Sequence, residues 1–321
     1  KSMTWPYEDQ SDATKMYNDV KSGVLTGSGL STSEVETAKA DGLFDEYVYV
    51  SSTNGSTFPI YYNLYRTAYA NSNDETKVVS VLTDEEKDLA NAALGNASFR
   101  LAVSFATDKA ARQAQRVGED LKLGRLRNAY LPGNFVTLES ETTIDINGTA
   151  TTFPAGTNYG EIVQAQLDAD GYPIKAFDKN ADDGVGSSDG YDGWYNPENA
   201  AAYLDKAIEE LAAQGVVIDA EHPVRLELPY TSSIEWVTNQ ANAVKQSIEG
   251  ALGDKVEIVL ADCADNNEWH YTGYFTDYGY EANYNITDIS GWGPDYGDPA
   301  TYLDTFLPDY SGYVTKSLGI F

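Results

Sequence analysis

The stretch from Ile289 to Leu307, ISGWGPDYGDPATYLDTFL, delivers a Trp, a turn and a carboxylate after a strand-like lead-in and before an amphipathic run resumes. Gly291, Gly293 and Pro294 bracket Trp292 and Asp295 with a glycine-permitted turn and a fixed-φ proline, so both side chains sit on irregular backbone at an element's end. Such positions commonly carry binding groups. Two readings stand: a ligand cleft, or a surface turn with a packed Trp and a helix-capping Asp. Asp288, Asp295 and Asp298 also imitate the carboxylate pair of a glycosidase, with Trp292 as a sugar platform, although an acidic chain supplies such pairs by chance.

Other catalytic and metal chemistry finds little to work with. No G-x-S-x-G, H-E-x-x-H, P-loop or dinucleotide glycine fingerprint occurs. Cys263 is the single cysteine, which excludes an internal disulfide, and His222 and His270 are too few for the usual zinc sites. No cofactor is expected. Asp178, Asn180 and Asp182 alternate as in a calcium loop, but Asp183 and Asp189 stand where an EF-hand requires Gly and Glu. A solvated acidic loop over 178–189 is the expectation. From Trp269 to Tyr284 the segment WHYTGYFTDYGYEANY holds five Tyr, one Phe and one Trp. Tyrosines offer flat area and a hydroxyl at low entropic cost, which suits either a cleft for varied ligands or a polar-tipped packing surface.

The elements that position these residues read as alternating helices and strands. A helix capped by Asn196, with Pro197 at its first position, carries the stripe Tyr203, Leu204, Ala207, Ile208 and Leu211 and closes at Gly215. Val224, Leu226 and Leu228 alternate with Arg225 and Glu227, as in a strand with one polar face. A second helix, capped by Ser232 or Ser233, repeats Ile234, Val237, Ala241, Val244 and Ile248 and ends at Gly253 before a strand over 256–261. This strand–helix–strand unit predicts a parallel pair and an α/β lobe. Upstream, Phe99, Ala102, Val103 and Ala106 mark a helix face with Asp108 and Lys109 on its polar side. Residues 139–160 read as a hairpin around Asn147-Gly148, and 47–50 and 60–65 as strands.

Length and charge bound the function. A chain of 321 residues buries a substantial core, as two lobes or one large domain with an appendage. The 21 Lys and Arg against 50 Asp and Glu give a net charge of −29, which repels nucleic acid and anionic membrane surfaces. That charge suits solubility in an extracellular or salt-rich setting. No run approaches ~20 apolar residues, and the first residues lack the basic start and apolar core of a secretory signal.

The segment GWGPDYGDPATYLD resembles the GW-x-x-DY-x-x-P segment of the oligopeptide-binding proteins of ABC importers, a branch of the extracellular solute-binding proteins. Further matches occur in the family's order: FPIYYNLYR (58–66), FRLAVSFATDKAAR (99–112), LELPYTSS (226–233) and the EW pair Glu268 and Trp269. The resemblance covers nearly the whole chain and implies a bilobal periplasmic-binding-protein type II fold. Residues 1–70 would be a remnant of the first lobe and the crossing strand, and residues 71–321 the second, peptide-binding lobe with an insertion hairpin near 139–160. Family members are usually longer at both ends, with the lipid-bearing cysteine of many Gram-positive relatives in the part preceding Lys1.

The resemblance further implies extracellular capture of oligopeptides for delivery to ABC permease subunits, by a monomer without catalytic activity. The Asp of the GW-x-x-DY motif pairs with the peptide ammonium in some members, and Asp295 occupies its place beside Trp292 and Gly293. Trp269 takes the pocket-lining position of the EW pair. Tyr230, Thr231, Ser232, Trp236 and, on the crossing segment, Asn63 complete the expected ligand-binding set. The gap between Trp269 and Trp292 is longer than in better-known members, which implies a reshaped pocket. A carbohydrate-binding surface module and a glycosidase-like enzyme are the alternatives.

Overall fold

The computed structural model describes residues 2–6, 12, 14–49, 55–67, 80–123, 126–178, 195–275, 279–307, 309 and 313–320. In chain order, α1 (Lys15–Lys21), α2 (Thr32–Ala40) and α3 (Phe44–Tyr47) precede β1 (Tyr61–Tyr62). Next come α4 (Asp84–Gly95), α5 (Ala97–Ala106), α6 (Lys109–Val117), the hairpin β2 (Thr142–Ile146) and β3 (Thr149–Phe153), α7 (Tyr159–Ala169) and α8 (Pro197–Ala212). The chain continues through β4 (Val224–Thr231), α9 (Glu235–Leu252), β5 (Val256–Cys263), α10 (Asn266–Gly273), β6 (Ile286–Thr287), α11 (Ala300–Leu303) and α12 (Tyr313–Ser317).

The core forms around the β4–α9–β5 unit. β4 and β5 pair in parallel, in register from Val224 opposite Val256 to Thr231 opposite Cys263. α9 buries Val237, Ala241, Val244, Ile248 and Leu252 along one face, and Gly253, at φ 66°, closes it. α8 opens as its sequence predicts: Asn196 accepts a hydrogen bond from the Asn199 N–H at 3.0 Å, with Pro197 in the first turn. Its Ala200, Leu204, Ala207 and Leu211 join Phe99, Val103 and Phe105 of α5 in the same apolar cluster as Leu226 and Ile258. The β2–β3 hairpin turns at Asn147 and Gly148, both at positive φ, as a tight Asn-Gly turn requires.

Four sequence expectations are corrected. The helix expected through 99–112 breaks into α5 and α6, because Thr107 is extended and Asp108 caps a new helix by accepting from the Ala111 N–H at 2.8 Å. Neither Ser232 nor Ser233 caps α9. Its cap residue is Ile234, while Ser232 turns to Asp262, with its N–H and hydroxyl donating to that carboxylate at 2.9 and 2.8 Å. A charged acceptor brought alongside by β5 outcompetes the helix end. Tyr47 ends the short helix α3, with Asp45 and Glu46 favouring its first turn, and Val48 and Tyr49 lie in no strand; Val50 falls outside the described residues. Of 60–65, only Tyr61 and Tyr62 form a strand, antiparallel to β6. The acidic loop lies outside the described residues except for Asp178.

On the polar face of β4, Arg225 stays partly exposed while Glu227 is buried. Glu227 is 2 % exposed and Arg66 1 %. The Arg66 guanidinium donates to Glu227 Oε2 at 2.6 Å, to Asn285 Oδ1 at 3.0 Å and to Asn283 Oδ1. Ser80 and the Val81 N–H add donors to the same carboxylate at 2.8 and 2.9 Å. Asn285 also bonds the Glu227 backbone, its N–H reaching Glu227 O at 3.1 Å and its Oδ1 accepting from the Glu227 N–H at 3.0 Å. The segment carrying Arg66 and the run 283–287 are thereby fastened to β4.

Two outcomes are expected. Arg66→Ala leaves the Glu227 carboxylate buried without its counter-charge and should cost about 3–5 kcal/mol, whereas Arg66→Met with Glu227→Leu should recover much of that loss. Denaturant unfolding of the wild type and the two variants checks this, and a loss below about 1 kcal/mol for the single change would contradict a buried pair. Cys263 is 1 % exposed, and burial pushes its thiol up to about 12, with the carboxylates of Glu268, Asp262 and Asp265 adding to the shift against a hydrogen bond involving Thr272. Thiol reagents should therefore label it only at the rate of opening or unfolding; fast labelling of the native chain would contradict that placement.

Candidate functional site

Ligands of open α/β units gather beyond the carboxyl ends of the strands, and Trp236 and Trp269 of the expected set lie at that end of β4 and β5. Trp269 of α10 and Val237 of α9 bury against Cys263, with Tyr230, Ile234, Trp236 and Ile289 packed around them. α10 is placed there by Asp265, which caps it by accepting from the Glu268 N–H at 2.9 Å. The Trp269 indole is then fixed by donation to Pro229 O at 3.1 Å. Trp236 meets it edge-on, with centroids 6.4 Å apart and planes at 70°. The rings continue outward from Trp269 to His270 at 5.6 Å, His270 to Phe275 at 6.2 Å and Phe275 to Tyr274 at 4.5 Å.

The polar residues of the set divide by exposure. Thr231 is fully buried and its hydroxyl donates to Cys263 O at 2.9 Å, which ties the two strand ends together. Ser232 is exposed beside Asp262. Tyr230 is half-buried, and its phenol is held above the usual range by burial first and then by the Asp262 charge. Asn63 is fully buried; its amide donates to Ala282 O and Tyr284 O, both at 3.0 Å. That bonding keeps the crossing segment in place.

Trp292, Gly293 and Asp295 form a second group. Thr57 and Trp292 exchange both backbone hydrogen bonds at 2.8 Å, and the Trp292 indole donates to Thr301 O at 2.8 Å. A Cβ at Gly291 would lie 2.2 Å from the Phe58 ring, so glycine is required for that ring to rest on the GW turn. Asp298 accepts from the Ala300 N–H at 2.8 Å in the turn before α11, whose cap residue is Pro299. Asp295 instead donates its own N–H to Thr301 Oγ1 at 3.0 Å, with its side chain exposed. Ile289 of the first group stands three residues before Trp292, so one segment leads from the first group to the second.

Asp288, the third acid of the imagined glycosidase set, is committed to Arg112 at 2.6 Å. That pair fastens the 286–295 segment to α6. Among the described residues no three His, Cys, Asp or Glu are grouped to hold a metal. A shallow depression lined by Pro223, Lys245, Glu249 and Val256 opens at the opposite edge of the strands, apart from both groups. Sequence reasoning missed two residues here: Asp262, whose signal was its place opposite Tyr230 in register, and Arg116, which lies 4.6 Å over the Trp236 ring.

No family model matches the chain. It is 30% identical over 314 residues to the oligopeptide-binding protein AmiA of Streptococcus pneumoniae, 97% of this chain and 42% of AmiA. It is 28% identical over 311 residues to AliA of the same species, again 97% and 42%, and 28% identical over 303 residues to SarA of Streptococcus gordonii, 94% and 40%. The chain thus spans about two fifths of the length of the curated relatives it matches. Among solved structures, peptide-bound OppA of Listeria monocytogenes aligns with a TM-score of 0.52 at 17% identity, over 96% of this chain and 43% of that one. The pheromone receptor PrgZ aligns at 0.50 and 13%, with the same coverage. Over nearly its whole length the chain is a homologue of the oligopeptide-binding proteins, and its α/β architecture is that of part of an OppA-type binding protein.

Proposed function

We propose that this chain is the peptide-holding part of an extracellular receptor that captures oligopeptides and delivers them to the permease subunits of an ABC importer. The similarity to oligopeptide-binding proteins across 97% of the chain carries this reading. The residues supply a physical route. Peptide side chains vary, so a broad receptor holds what every peptide has: its backbone, its amine and its carboxylate. Trp236 and Tyr230 offer apolar area at the strand ends, with Trp269 buried behind them, and Asp295 offers a charge for the ammonium beside Trp292.

In this reading residues 1–70 belong to the first lobe and the crossing strand, and residues 71–321 form the second lobe, with the β2–β3 hairpin as an insertion. Closure of two lobes buries the ligand by hinge motion and requires no chemistry. The receptor is a monomer at the cell surface, held by a lipidated N-terminus, and catalyses nothing. Commitment of Asp288 to Arg112 takes one of the three acids away from the glycosidase reading.

Titration of free and N-acetylated peptides into the complete receptor tests the proposal. Wild-type receptor should bind both. Asp295→Asn should weaken the free peptides by about tenfold or more, because the buried ammonium loses its counter-charge, and should leave the acetylated ones nearly unchanged. Equal losses would mean that Asp295 only shapes the turn, and failure of every peptide to bind the wild type would overturn the function itself.

A further inference from the structure

Trp292 and Asp295 are both tied to Thr301, the second residue of α11. The Trp292 indole donates to Thr301 O at 2.8 Å, and the Asp295 N–H donates to Thr301 Oγ1 at 3.0 Å. The two links differ in what they ask of position 301. Every residue has the carbonyl that receives Trp292, whereas only Thr and Ser place a hydroxyl on Cβ to receive Asp295.

Thr301 is itself well fixed. It is buried, its N–H donates to Asp298 O at 3.1 Å, and its neighbour Tyr302 is fully buried. The Tyr302 ring meets Phe135 edge-on at 5.3 Å and Tyr130 at 5.8 Å, and its hydroxyl donates to Gly55 O. A Cβ at Gly55 would stand 2.8 Å from the Pro294 ring, so the same segment closes against the turn from its other side. Asp295 is exposed, so packing does little to place it, and the Thr301 hydroxyl fixes the backbone from which its carboxylate projects. A group fixed before its ligand arrives loses less freedom on binding, which raises affinity without adding a contact. Resting on the reading of Asp295 as the partner of the peptide ammonium, we propose that Thr301 is a positioning residue for that pair. Its hydroxyl sets Asp295 beside Trp292 and thereby strengthens selectivity for peptides with a free amino terminus.

The test titrates the complete receptor with one peptide in two forms, free and N-acetylated. Thr301→Val keeps the shape of the side chain and the carbonyl for Trp292, and removes the link to Asp295. It should lower the preference for the free form by about fivefold, the worth of one hydrogen bond, while unchanged affinity for the acetylated form shows that the fold is intact. Thr301→Ser keeps the hydroxyl and should retain the preference. In an Asp295→Asn background Thr301→Val should change the preference no further, because two residues acting on one interaction are not additive. Equal losses for both forms, no loss for either, a full loss in Thr301→Ser, or an undiminished effect in the Asp295→Asn background would each overturn the proposal while leaving peptide binding intact. If Asp295→Asn alone failed to separate the two forms, the ammonium reading would fall and this assignment with it. If wild-type receptor bound neither form, the peptide-binding reading would fall and take both.

Discussion

The buried pair of Arg66 and Glu227 is the constraint on which the rest depends. The two residues lie 161 positions apart, and their side chains are 1 % and 3 % exposed. A carboxylate on β4 that deep in the core requires a counter-charge, and Arg66 of the crossing segment supplies one. Asn283 and Asn285 complete the shell around the guanidinium, so the run toward β6 is drawn into the same knot. The crossing segment, β4 and the approach to the GW turn are therefore placed by one polar cluster, and the strand-end site inherits its rigidity from it.

From that knot the geometry of the two groups follows. β4 and β5 end in register at Thr231 and Cys263, closed by the Thr231 hydroxyl. α9 and α10 start within a few residues of those ends, which sets Trp236 and Trp269 edge to face. The segment leaving β6 carries Ile289 into the aromatic cluster and Trp292 against Thr57, with Arg112 holding Asp288 at its start. Flat apolar area, a buried strand junction and exposed carboxylates thus lie on irregular backbone, which is the arrangement the proposed peptide site calls for.

Local periodicity made α8, β4, α9 and β5 legible, because stripes such as Leu204, Ala207 and Leu211 need no distant partner to be recognised. What was hidden depends on long-range placement. Glu227 alternates with apolar residues as a solvent-facing acid would, and nothing local announces Arg66. Ser232 sits where a helix cap belongs, and Asp262 arrives only when β5 pairs. The break at Thr107 turns on an Asp cap inside an otherwise continuous helical pattern. For the site, Trp292 and Asp295 were marked by their turn, and Trp269 and Trp236 by family resemblance. Arg116 carried no signal beyond being a cation on an amphipathic helix.

Hydrogen exchange of the complete receptor with and without peptide tests the central claim most directly, since it reports binding and location together. The account predicts peptide-dependent protection at the β4–α9 junction around 230–236, across 262–270, and along 289–296, with α8 unchanged. Unaltered exchange in those three segments under saturating peptide, or protection confined to the opposite edge of the strands, would contradict it.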